Sequence, residues 1–333
     1  MTRVGESPPV PIDAPRARPR PSLWLRVLPL LIAAGCFLFL YTRLQSAAAA
    51  QGTGLLPYLG GIFARVSWLR WLALMIPYCV FFFLIDTLIL WCVINWFNTS
   101  ISYADLIPVR GSSYILSIVN EQVSKGAVAL YLYRRAGVPG WELGSSMIFI
   151  MVCEVYYLLM WATVGVLHQW DRFPEIFHLI PWIAAGAAAF FVALFLFFSG
   201  RIGGASRLRD KPIFHAFRRA KLWQYGLVVL MRTPMLLVAV VVYTLSLRLF
   251  GVQASYSEML GYLPVIFFGA ATPGPMRSVA ILLWVLLFPD KPGEMTAFGF
   301  VQHNFFILFN AAIGLLFLRR ATRDLFGGPA GPA

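Results

Sequence analysis

The run Trp71–Phe97 holds 27 residues and a single charged side chain, Asp86. As a helix it would be about 40 Å long at 1.5 Å per residue, more than the roughly 30 Å of a hydrocarbon core. Five further runs have the same character: Leu23–Tyr41, Leu143–Leu167, Phe177–Ser199, Leu222–Leu249 and Met295–Leu318. Charged residues are 12% of the chain, about half the roughly 25% usual in soluble domains. That leaves too little polar surface to face water. A soluble enzyme, a disordered regulator and a nucleic-acid module are therefore excluded, and an all-α polytopic membrane protein remains.

Two more stretches, Ile101–Tyr133 and Glu258–Pro289, are apolar but interrupted. The first breaks at Asn120–Glu121–Gln122 and the second at Thr272–Pro273–Gly274–Pro275. A helix that breaks within a bilayer frees backbone groups that protein or water must satisfy, and polar or Pro/Gly residues suit such a tip. Loop charge then sets orientation. The segment Arg201–Lys221 carries seven Lys/Arg against one Asp. Arg319, Arg320 and Arg323 follow the last run, and the segment before the first is also basic. All three belong in the cytoplasm. The 42–70 loop, with three arginines and no acid, fits less well.

With both termini inside, the full spans must be even in number, and six satisfy this. The interrupted stretches then enter and leave by one face each. The expected fold has about six full spans plus two re-entrant helical hairpins, arranged as an inverted repeat. Eight ordinary spans are the rival arrangement. Paired interrupted segments at matching positions of two halves point to a transporter binding site.

Residues 1–22, with six prolines and four arginines, read as a disordered basic tail. Residues 23–320 read as one transmembrane domain with halves at about 23–168 and 177–320, and 321–333 as a flexible C-terminal tail. A cleaved signal peptide is the rival for the first run, since Ala47–Ala50 resembles a small-residue cleavage site. The net charge of +13 is explained by cytoplasmic loops beside anionic lipid, so no nucleic-acid partner is expected. The four cysteines lie inside apolar runs without CxxC spacing, so neither a disulfide nor a metal site is expected.

Ionisable groups at bilayer depth usually face a cavity or a partner. Glu121 and Lys125, four apart, share a helical face; they form either a charged lining or a local neutral pair. Arg134 and Arg135 can hold a lipid phosphate bidentately or serve as cytoplasmic anchors. Glu154 has no basic neighbour within a turn of its own helix. It is a candidate for proton coupling, for a cationic headgroup, or for a structural hydrogen bond. Asp86 and Arg232, deep in counterpart runs, suggest a buried ion pair. Arg277 follows the second break and is the leading candidate for an anionic ligand, against snorkelling to the headgroups. His303 is a candidate proton relay or a satisfied hydrogen bonder. No HExxH, phosphate loop, GxSxG or catalytic carboxylate pair is present, so neither enzyme activity nor a cofactor is expected.

The stretch 120–157, NEQVSKGAVALYLYRRAGVPGWELGSSMIFIMVCEVYY, resembles the lysylphosphatidylglycerol synthase transmembrane region, also called the flippase-like integral membrane family. Glu121 matches the first glutamate of that pattern, Lys125 its basic residue, Arg134 and Arg135 its basic pair, and Glu154 the second glutamate. TPGPMRS (272–278) resembles the family's second-hairpin motif, with Arg277 in place of its arginine. The sequence departs from the pattern at Val155, Leu158 and Ser278, and the Pro-Gly before Glu121 is missing. The resemblance implies movement of a lipid headgroup, phospholipid or polyprenyl-linked, across the inner membrane. It implies Glu121, Lys125, Arg134, Arg135, Glu154 and Arg277 as substrate contacts, and a partner lipid-modifying enzyme is compatible with it. No aminoacyl transfer is expected of this polypeptide. A membrane-embedded enzyme of lipid or polyprenyl-phosphate metabolism and a non-catalytic cell-envelope scaffold are the rival functions.

Overall fold

A computed structural model describes residues 23–118, 121–202, 207, 209–271 and 277–326. The described residues are helical with no strand. In order the helices are α1 (Leu23–Ala50), α2 (Leu55–Arg65), α3 (Trp68–Phe97), α4 (Tyr103–Ser113), α5 (Glu121–Ala136), α6 (Gly140–His168), α7 (Ile180–Phe198), α8 (His215–Arg219), α9 (Leu222–Leu249), α10 (Tyr256–Ala271), α11 (Ser278–Leu287) and α12 (Pro292–Phe326). Five of the long helical stretches, namely α3, α6, Glu175–Phe198, α9 and the Pro292–Arg319 part of α12, are long and apolar enough to cross a membrane. The sixth expected run, Leu23–Tyr41, lies in α1. The architecture is that of a helical, multi-pass membrane protein.

Several boundaries differ from expectation. The 42–70 loop is mostly helix, because α1 continues through its alanines to Ala50 and α2 follows after a short turn. The C-terminal tail expected from 321 begins later, since α12 runs to Phe326. The first break comes earlier than expected. Helix α4 stops at Ser113, a 3-10 turn fills Tyr114–Ile118, and Glu121 opens α5 rather than lying in the gap. The expected tail 1–22 and the second break, 272–276, lie outside the described residues.

The order of elements in one half recurs in the other, and so do their contacts. Helix α3 packs against α9. Helix α4 packs on α12, and α10 packs on α6; α2 touches α12, and α8 touches α6. Each half thus lends the first helix of its interrupted segment to the other half. Small residues make these crossings possible, since close backbone approach drives helix association in lipid. Gly165 of α6 meets Gly261 of α10, and Gly314 of α12 meets the Gly111 carbonyl of α4.

The two lent helices also start alike. Ser102 caps α4 by accepting from the Asp105 amide at 3.1 Å, and its hydroxyl donates to the Asp105 carboxylate at 2.7 Å. Ser255 accepts from the Glu258 amide at 3.1 Å and donates its own amide to that carboxylate at 2.8 Å. Both are serine N-caps, and the second, with the Ser255 amide on the Glu258 carboxylate, is a full capping box. In sequence they read SYAD (102–105) and SYSE (255–258). Each lent helix also carries an internal proline, Pro108 and Pro264.

Burial gathers Phe83, Tyr114 and Ile313 into a small apolar cluster and divides the rest of the core into two large ones. One gathers Trp71, Met75, Leu236, Leu263, Trp284 and Phe298; the other gathers Ile89, Val93, Leu106, Phe149, Phe217 and Val228. The division falls part-way along α3, α6 and α9. At the far end of the second cluster the basic Arg201–Lys221 segment docks on α3. There His215 Nε2 lies 3.0 Å from the Phe97 carbonyl, and Arg219 donates to the same oxygen at 3.4 Å. Basic groups at a helix C-terminus offset its dipole.

Candidate functional site: a polar cavity between the halves

A partly open cavity of about 110 Å3 lies against the first of the large clusters, with Met235 of the second and Tyr114 of the small one also on its wall. A water needs roughly 10–15 Å3 on this measure, so the space holds several waters or a small polar group. Its wall carries Arg110 of α4, Glu154 of α6, Arg232 of α9, Arg277 and His303 and Asn310 of α12. Tyr78, Tyr114, Tyr157 and Tyr243 add phenol groups. Both halves contribute to this wall.

Asp86 and Arg110 form a tight knot behind it. The Arg110 Nε and Nη2 reach the same Asp86 Oδ2 at 2.8 and 2.7 Å. The Tyr114 hydroxyl donates to that oxygen at 2.9 Å, and the Tyr114 ring lies 4.5 Å from the guanidinium carbon. Arg110 Nη1 donates to Ser124 Oγ at 3.3 Å, which in turn donates to Ser113 Oγ at 3.1 Å. The knot joins α3, α4, the 3-10 turn and α5. It satisfies a carboxylate and a guanidinium that are almost fully buried.

The expected Asp86–Arg232 pair is corrected here. Asp86 is engaged by Arg110, while Arg232 reaches Glu154 Oε2 at 3.4 Å. The reason is topological: the broken first segment turns Arg110 of α4 back onto α3, and α6 carries Glu154 against α9. Glu154 likewise does not stand without a basic partner. Its partner comes from another helix, which one-helix spacing does not reveal. The Glu154 side chain keeps 27% exposure, against 4% for Arg232, and both residues border the cavity.

Arg277 occupies the N-cap of α11 with φ 51° and ψ 42°. It is the one non-glycine residue with positive φ among those described. Such a backbone is costly for a branched-off side chain, and residues held this way cluster at functional sites. Its guanidinium lies 5.8 Å from the Phe306 ring centroid. No described carboxylate forms an ion pair with it.

His303 accepts from Trp284 Nε1 at Nε2, 3.2 Å away. That bond needs the Nε2 lone pair, so the neutral ring carries its proton on Nδ1. A relay through Nε2 would first have to break it. Arg134 is exposed near the end of α5 and does not line the cavity. The side chains of Glu121, Lys125 and Arg135 lie outside the described residues.

Sequence reasoning missed Arg110, Tyr114 and Asn310. The first two sit in VRGSSY (109–114), inside the interrupted stretch Ile101–Tyr133 but ahead of the break expected at 120–122. The repeated Ser-Tyr-x-acid start was the available signal, because it marks this segment as the counterpart of the second interrupted one. Comparison with protein-family models, with curated proteins and with solved structures finds no match for this chain.

Proposed function

We propose that this protein moves a lipid phosphate headgroup across the cytoplasmic membrane through the cavity between its halves. The observation that carries this reading is the convergence of Arg110, Arg232 and Arg277, with one partly exposed carboxylate, on a partly open space between the halves. Buried guanidinium groups suit phosphate oxygens. In this reading α1, α3, α6, α7, α9 and α12 are full spans, and α4–α5 and α10–α11 are re-entrant hairpins of an inverted repeat. Both termini are cytoplasmic. The acyl or isoprenyl tail stays in lipid while the headgroup passes through the cavity, with Arg277 the first cation that its phosphate meets. The resemblance to the flippase-like family, carried by Glu121, Lys125, Glu154 and Arg277, points the same way. A lipid-modifying enzyme that supplies or consumes the headgroup is a compatible partner.

The embedded-enzyme reading is weaker because its two carboxylates are already engaged. Asp86 is held by Arg110 and Tyr114, and Glu154 by Arg232. The test is transport by purified protein in proteoliposomes, followed by quenching of a headgroup-exposed fluorescent phospholipid. Arg277→Ala is expected to lose transport while melting as wild type does. Transport at the normal rate by that variant, or by vesicles without protein, would remove the basis of the proposal.

A further inference from the structure

Asn310 is only 5% exposed and its amide oxygen has no hydrogen-bond partner among the described residues. It nevertheless forms part of the cavity wall. Buried polar atoms without a partner are rare in folded proteins, and each needs an explanation. The unlike treatment of its neighbours sharpens the point. Asn304, on the same helix, uses its amide to donate to the Phe300 carbonyl at 2.7 Å. Asn310 has no such local bond and borders a space large enough for a ligand group, and a half-turn of the amide exchanges its buried oxygen for its nitrogen.

His303, Phe306 and Asn310 stand at helical spacing on one face of α12, and all three line the cavity. The Phe306 ring carries the Arg277 guanidinium. Asn310 follows one turn later, about 6 Å along the axis. The wall therefore presents a cation and, a turn away, an amide that lacks a partner. We infer that Asn310 selects a lipid phosphate ester whose headgroup bears free hydroxyls, the phosphate lying toward Arg277 and a hydroxyl against the amide. This rests on the lipid-headgroup reading of the cavity and adds the headgroup class and the residue that reads it.

The chemistry favours hydroxyl over ammonium on two counts. A hydroxyl both donates and accepts, so it satisfies an amide whichever of its two ends faces the ligand. An ammonium only donates, and the carboxylate it would seek, Glu154, already holds Arg232 at 3.4 Å. A headgroup without donors leaves the amide oxygen unpaired, which sites built for hydrogen bonding reject strongly.

The test measures binding to the purified full-length protein in detergent, with short-chain probes matched in charge. Dihexanoyl phosphatidylglycerol is compared with dihexanoyl phosphatidylpropanol, which lacks only the hydroxyls. A second arm compares a short-chain prenyl phosphate-hexose with the prenyl methyl phosphate diester, which keeps the single negative charge and lacks the hydroxyls, to separate the glycerolipid source from the isoprenoid one. In at least one arm the hydroxylated probe is expected to bind about tenfold tighter to wild type. Asn310→Leu, close in volume, is expected to bring that ratio toward one while the melting temperature is held. Equal affinities within both arms for wild type overturn the inference and leave the transport reading standing. So does an unchanged ratio in a stably folded Asn310→Leu. Binding of none of the probes overturns both.

Discussion

Gly165 and Gly261 meet backbone to backbone where α6 crosses α10: a Cβ built on Gly165 would lie 2.2 Å from the Gly261 Cα. Only a shift of one whole helix could relieve that overlap. Gly165→Val is therefore expected to destabilise the fold by at least the ~1–3 kcal/mol typical of overpacking, read as a lower melting temperature in detergent. Gly186 of α7 has nothing within 4 Å of the same construction, and Gly186→Ala is expected to melt no lower than wild type.

The knot at Asp86 makes a second prediction. Asp86→Ala removes the carboxylate that two Arg110 nitrogens and Tyr114 share. Breaking a buried pair from one side costs about 3–5 kcal/mol. Asp86→Ala with Arg110→Leu is expected to cost less than the sum of the single changes, and a double-mutant cycle by thermal or chemical denaturation measures the difference.

Arg277 separates stability from function. Its left-handed backbone costs an arginine roughly 1–2 kcal/mol that glycine does not incur. Arg277→Gly is expected to melt at or above the wild-type temperature and to lose transport. A variant that melts lower would mean that the Phe306 contact, not the backbone, sets the energetics at this position.

The two serine N-caps should respond alike. Ser255→Ala and Ser102→Ala each remove an N-cap acceptor, at a cost of about 1 kcal/mol. Arg172 pairs with Glu258 from an exposed position, with a side chain 61% exposed. Screening by solvent limits that contact to less than about 1 kcal/mol, so Arg172→Ala should melt closer to wild type than Ser255→Ala does. Parallel denaturation of the three variants checks the order.

Much of the scaffold was legible because an apolar run bounded by polar residues leaves few alternatives. Leu222–Leu249 was read from hydropathy and coincides with α9. Helix α2 was not read, because LLPYLGGIFAR (55–65) is short and carries two glycines inside. The partners of Asp86 and Glu154 were also out of reach. Periodicity relates residues on one helix, whereas Arg110 and Arg232 arrive from others, placed by the break after Ser113 and by the α6–α9 packing. Arg277 was read from its place after a Pro/Gly break, and the structure puts it on the cavity wall. The repeated Ser-Tyr-x-acid cap was in plain view, yet a repeat of four residues gains meaning only once both copies are seen to open helices lent to the opposite half.

That exchange has a consequence for biosynthesis. Helix α4 emerges from the ribosome long before α12, on which its packing surface lies. The nascent chain must therefore shelter an incomplete, charge-bearing segment until α12 is made, and a product truncated before it would be left with that segment exposed. Retention beside the insertion machinery until α12 arrives, and rapid proteolysis of chains terminated before it, are what such wiring demands.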